Sequence, residues 1–209
     1  MRKQLLRALA PLFLPILAST AHGASITFDL SLDASPLIGG ATSPYYFEFQ
    51  LNDGDGVANT SVTLNNFAFG GGTAIGTPVV FGNALGDTAT GITIDDGSFF
   101  NEFYQEFQPG NTLSFSVLFD STLSDPVIPD RFTFAILNSS LFEIPTAGAG
   151  NELFGFDFRN PLHYELYAGV GGTNDPTLDA PTISSVPEPT SLWLLASGAL
   201  GLLRFKRSS

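Results

Sequence analysis

Carboxylates are the most abundant ionisable groups in this chain, with twenty Asp and Glu against eight Lys and Arg, two His and no Cys. Their spacing suggests a ligand most clearly at Asp53-Gly54-Asp55-Gly56, followed by Asn59. Oxygen ligands at alternating positions suit a hard cation such as calcium. An EF-hand loop would need a third ligand where Val57 stands and a glutamate where Leu64 stands. The pattern therefore predicts an irregular calcium site on Asp53, Asp55 and Asn59, or else a plain polar hairpin turn. Asp87, Asp95 and Asp96 form a second, sparser acidic group. Glycoside hydrolysis needs two carboxylates flanking one bond, and Glu102 with Glu106, or Asp95 with Asp96, could be nominated. Nothing in the spacing selects a pair.

Other chemistries lack their reagents. Nucleophilic triads need a base beside the nucleophile, and His163 is the only histidine beyond the first 24 residues. No serine sits in a Gly-x-Ser-x-Gly setting. Zinc needs several His or Cys ligands, which are missing. Gly70-Gly71-Gly72-Thr73 lacks the lysine of a phosphate-binding loop. No thiolate or disulfide is available, so the fold must hold by packing.

The elements that would carry these residues read as strands. Hydrophobic side chains recur with period two: Ile26, Phe28, Leu30 and Leu32; Tyr45, Phe47, Phe49 and Leu51; Leu113, Phe115, Val117 and Phe119. Phe132, Phe134 and Ile136, then Phe154, Phe156 and Phe158, repeat the pattern. Phe99 to Phe107 fits a strand better than a helix face. Gly-, Asn- and Pro-rich turns separate the runs, among them Gly70-Gly71-Gly72, Asp95-Asp96-Gly97 and Pro109-Gly110-Asn111. No long capped helical pattern occurs between residues 25 and 185. The expected class is all-β: a single β-sandwich, jelly-roll-like, over residues 25–185. Eighteen of the twenty phenylalanines fall there, as its core.

The two ends differ in kind. Residues 1–24 read as a signal peptide, with Arg2, Lys3 and Arg7 before an apolar run and small residues at Ala21, Gly23 and Ala24 for cleavage. Residues 186–209 open with Val186-Pro187-Glu188-Pro189, continue through an apolar stretch and close with Arg204, Lys206 and Arg207. A helix over Thr190 to Phe205 would be roughly 24 Å long. That is short against a hydrocarbon core of about 30 Å, so snorkelling of Arg204 and Lys206 would help it span. The basic residues would stay cytoplasmic, placing residues 25–185 outside the inner membrane.

The order of Pro187-Glu188-Pro189, apolar helix and terminal basic cluster resembles the PEP-CTERM sorting signal of Gram-negative bacteria. The resemblance covers about a ninth of the chain. It implies recognition by exosortase, a membrane protease-transpeptidase, in a host that makes exopolysaccharide and, with it, biofilm. A second likeness lies in the middle of the chain. Phe99-Phe100-Asn101-Glu102-Phe103 followed by Pro109-Gly110-Asn111-Thr112-Leu113-Ser114-Phe115 resembles short PEP-CTERM proteins of unknown activity.

Between the ends, Arg131 and Arg159 face nineteen carboxylates, so residues 25–185 carry a net charge of −17. Such a surface repels nucleic acid, whose binding needs Lys and Arg against phosphate. The resulting expectation is an exported, non-enzymatic surface or matrix protein, structural or adhesive, anchored before processing through its C-terminal helix. Two alternatives stay open. One is a carbohydrate-binding module, aided by calcium, that holds exopolysaccharide on aromatics such as Tyr45, Tyr46, Tyr104 or Tyr167. The other is a secreted hydrolase with an unrecognised carboxylate site.

Overall fold

A computed structural model describes residues 24–122, 127–159 and 163–185. The chain opens with β1 (Ala24–Asp33), a 3-10 turn (Ser35–Leu37), β2 (Tyr45–Asn52) and β3 (Thr60–Ala68). Short strands follow: β4 (Thr73–Ala74), β5 (Val79–Phe81), β6 (Ala84–Asp87) and β7 (Gly91–Asp95). The long pair β8 (Phe100–Gln108) and β9 (Thr112–Ser121) comes next, then β10 (Asp130–Leu137), β11 (Phe154–Phe158), β12 (His163–Leu166) and β13 (Thr182–Ser185).

These strands form two antiparallel sheets packed as a sandwich, as the period-two pattern predicts. One sheet has the order β13-β1-β9-β3-β7-β6. The other runs β12-β11-β10-β2-β8, with β4 and β5 both on the far side of β8. The segment Phe99 to Phe107 is a strand from Phe100 onward, buried residues alternating with exposed or half-exposed ones. Each sheet turns one set of alternating residues inward.

Phenylalanine fills the space between the sheets. Twelve of the eighteen in this region are buried, and Phe67 and Phe69 pack half-buried against them. Phe49 alone meets Phe115, Phe132 and Phe134 at ring-centroid distances of 5.0, 6.1 and 5.5 Å. Phe119 stacks on Phe156 at 4.1 Å. The four exposed phenylalanines are Phe81, Phe99, Phe100 and Phe142. Three of them lie together on one side of the sandwich, by β5 and the start of β8.

Two glycine turns close one end by packing on each other. Gly70 and Gly71 adopt φ of +58° and +99°, open to glycine at little steric cost. A Cβ on Gly72 would lie 1.9 Å from the Gln108 carbonyl oxygen, and one on Gly110 would lie 2.2 Å from that of Phe69. Both turns must therefore be bare where they touch.

Candidate functional site

The acidic residues gather in two places: one end of the sandwich and the outer face of the seven-stranded sheet. At the end, the turn after β2 carries Asp53 and Asp55. They meet Asp130, the first residue of β10, and one carboxylate oxygen from each lies within 4.8 Å of the others. Asp130 is 2% exposed, and its oxygens are already engaged. Oδ1 accepts from the Gly54 N–H at 2.9 Å, and Oδ2 lies 2.7 Å from the Thr60 hydroxyl. That hydroxyl also lies 2.9 Å from both Asn59 Oδ1 and Ser121 Oγ. With one proton to give, it donates to the carboxylate, the strongest acceptor of the three.

The same end holds a second buried carboxylate. Asp96 Oδ2 accepts the backbone N–H groups of Asn59 and Thr60, both at 2.9 Å. Burial raises its pKa against the pull of those two bonds. Thr60 is thus clamped by Asp96 through its N–H and by Asp130 through its hydroxyl. A hollow of about 380 Å³ opens beside them, lined by Asn59, Thr60, Ser61, Asp95, Asp96 and Asp120 among others.

Of the residues expected to hold a cation, the structure brings Asp53 and Asp55 together. Asn59 sits apart from that pair in its bonding, tied to Asp96 and Thr60. The third carboxylate is Asp130, which lies 75 positions beyond Asp55 and which no local spacing could have nominated. A hard cation prefers six to eight oxygen ligands. Asp53 Oδ1 takes the Gly56 N–H at 2.6 Å and Asp55 Oδ1 the Val57 N–H at 2.8 Å. Each carboxylate therefore already braces a turn, and Asp53 and Asp55 keep their second oxygen for any ligand.

On the outer sheet face, β2 and β8 run side by side with Glu48 opposite Tyr104 and Gln50 opposite Glu102. Glu48 is 5% exposed. Burial, first, and a hydrogen bond shared with Glu102, second, push its pKa up to about 8. Glu143 follows to about 7, through burial and the nearby Glu48 and Glu152. A carboxyl–carboxylate pair is the kit of acid–base hydrolysis. Here it is Glu48 with Glu102, and the protonated member is closed off from solvent. The nominated pairs differ: Glu102 and Glu106 stand four residues apart along one strand, while Asp95 and Asp96 point to opposite sides, one half-exposed and one buried.

The aromatics nominated for glycan binding separate as well. Tyr45 is fully buried because it shares parity with Phe47 and Phe49, which corrects its nomination as a platform. Tyr46 and Tyr104 meet edge to face, 6.1 Å apart at 81°, above a cleft of about 110 Å³ that Glu106 also lines. Tyr167 is half-buried beside Glu165.

Arg131 organises the far side of the same sheet. Its guanidinium pairs with Asp157, with Glu152 at 2.9 Å and with Glu165 at 3.3 Å. These partners hold its pKa above the usual arginine value despite the opposing cost of burial. Gly155 makes the room, since a Cβ there would lie 2.3 Å from Nη2. His163 Nδ1 sits 3.3 Å from Asp157 Oδ2 and Arg159 Nη2 3.8 Å from it. The two arginines of this region and its histidine thus converge on one aspartate.

Fold and geometry together define an acidic, cysteine-free β-sandwich whose buried charges are engaged internally. A family model described as the PEP-CTERM protein-sorting motif matches residues 185–208. No curated protein and no solved structure matches the chain. The chain thus carries a PEP-CTERM tail, which marks it as an exported protein, sorted by exosortase and associated with the surface through that processing. Val186, Pro187, Glu188 and Pro189, with Arg204, Lys206 and Arg207, lie outside the described residues, as do residues 1–23 of the expected signal peptide, whose last residue, Ala24, opens β1. Among the described residues no helix is long and apolar enough to cross a membrane.

Proposed function

We propose that this protein is a non-catalytic structural or adhesive component of the cell surface or its exopolysaccharide matrix. The observation that carries this reading is the outer face of the six-stranded sheet, an open ladder of small polar side chains. Asp29, Ser116 and Asn65 align across β1, β9 and β3, and Ser116 donates to Asp29 Oδ1 at 2.6 Å. Ser31 and Ser114 continue it, and the row of Thr27, Thr63 and Thr93 does so with Leu118 half-exposed among them and Leu85 at its end. A hydrated face of this kind, on a domain of net charge −17, keeps an exported protein soluble and accessible to polar polymers. The closed position of Glu48 also favours a role without catalysis.

The test pairs a deletion strain with the Glu48→Gln/Glu102→Gln double variant. Deletion should weaken surface-matrix cohesion, and the double variant should restore it in full. Reducing ends released from the host's own exopolysaccharide by the purified protein, and lost in the double variant, would overturn the reading.

Calcium-assisted glycan binding is the second reading, favoured by the approach of Asp53, Asp55 and Asp130 within 4.8 Å. Calcium-dependent retention on exopolysaccharide, abolished by Asp53→Asn, would move the assignment to it.

A further inference from the structure

β5 and the first residues of β6 form an apolar side of the sandwich, with Asp87 at the far end of β6 and one edge of each strand left without a partner among the described residues. Val79, Val80 and Phe81 are 38, 44 and 50% exposed, Leu85 on β6 is 60% exposed, and Phe99 and Phe100 at the start of β8 are 77 and 40% exposed. β5 pairs with β8 along one edge, and no described strand pairs with its other edge. β6 likewise ends its sheet. Edge strands in monomeric proteins are usually guarded by charge, proline or a bulge, because free N–H and C=O groups invite another strand. Here Pro78 stands before β5, not in it, and residues 57–86 contain no charged side chain at all.

From these features we infer that β5 is a self-association edge, at which two copies of this chain pair antiparallel and extend the seven-stranded sheet from one molecule to the next. Charge selects the occupant. A copy carrying −17 is repelled from most of its partner's surface, and β5, itself without a charged side chain, is an edge where two copies can pair with no like charges in the pairing. Two acids on β8 flank it: Glu102, across from Phe81 and engaged with Glu48, and Glu106, which lines a cleft with Val79. The chain's own tail is a poor occupant, because β13, from which it departs, borders β1 at the opposite end of the six-stranded sheet.

Symmetry fixes the register. A two-fold axis through Val80 sets Val80 against the partner's Val80 and Phe81 against the partner's Val79, with both kinds of pair apolar. Three residues make a short edge, so each contact is weak and transient in solution. Proteins sorted to one surface are concentrated there, and crowding of that kind converts weak contacts into lasting ones. The proposal takes this crowding, though not its geometry, from the surface-structural reading above.

The experiment is sedimentation velocity on the exported, processed protein across the micromolar range, at low and high salt. Reversible dimers that strengthen with salt are expected, since salt screens the acid–acid repulsion but not apolar pairing. Val80→Asp places two like charges face to face and should weaken association about tenfold or more, a loss of about 1.4 kcal/mol or more. Leu85→Asp, on the adjoining strand, checks that the effect belongs to the edge and not to a folding defect. An equimolar mixture of Val80→Asp and Val80→Lys should associate where Val80→Asp alone does not. A monomer at every concentration, a dimer indifferent to Val80→Asp, or binding to phosphatidylcholine vesicles in place of dimers would each overturn the inference. Because the readout is association in solution, a monomer would leave the surface role standing. Failure of the matrix test would equally leave an observed dimer intact.

Discussion

The two lateral sides of this sandwich are built on opposite principles. At the β11–β12 side, Arg131 draws in Asp157, Glu152 and Glu165, with His163 and Arg159 completing the group. At the β5–β6 side β5 itself carries no charge, Asp87 ends β6, and Val79, Val80, Phe81 and Leu85 face solvent. Both are sheet edges with the same backbone groups to satisfy. Beside one, ion pairs tie β10, β11 and β12 together. The other is left open, which is a liability in an isolated molecule and an asset in one that assembles. The contrast is one of placement: both arginines of residues 25–185 lie on the charged side.

Mutation should expose that asymmetry. Arg131→Ala should have the largest effect, about 2–4 kcal/mol lost in chemical denaturation at neutral pH, because it leaves buried Glu152 and part-buried Asp157 uncompensated. A loss below 1 kcal/mol would show the charged side to be as dispensable as the apolar one.

Glu48, between the two sides, should respond to pH. Its folded-state pKa of about 8 lies above the ordinary 4.5, so the folded protein holds that proton more tightly than the unfolded chain. The stability it contributes is complete below about pH 4.5 and is lost as pH climbs towards 8. Glu48→Gln mimics the protonated form. It should therefore unfold about 1–3 kcal/mol less readily than the wild type at pH 9, and near equally at pH 4.5. An equal gain at both pH values would refute the buried-proton account.

Asp130→Ala should cost about 1–3 kcal/mol by stranding the Gly54 N–H and taking the charged acceptor from the Thr60 hydroxyl, which is left with Asn59 and Ser121. If the carboxylates act as struts, that cost is the same in calcium and in chelator. A cost that grows with calcium would mark them as ligands instead. Phe81→Ser should change monomer stability least, within about 0.5 kcal/mol, since its side chain is half in water. A larger loss would mean that β5 serves the fold more than its surroundings.

Much of this architecture was legible along the chain. Phe47 and Phe49, Phe115 and Phe119, and Phe132 and Phe134 alternate with polar partners, and strand parity alone sends them inward. The same rule places Tyr45 in the core and Tyr46 outside, although both had been candidates for a glycan platform. Gly70-Gly71-Gly72 and Pro109-Gly110-Asn111 announced their turns, but not that the two would pack together. The cation candidates show the other limit. Asp53 and Asp55 are neighbours by sequence, whereas Asp130 joins them only because β10 lies beside β2. Arg131 carries no local signal either, and its three partners come from three separate positions after it.

By itself the sequence determined the export tail, the acidic charge and the sandwich class, because each is written in residues close together: a motif, a composition, a period of two. Only the tertiary structure decided which carboxylates are buried, that Glu48 keeps its proton beside Glu102, and which edge is left uncharged and open. Those outcomes depend on strand order, and strand order is set by contacts between residues far apart in the chain.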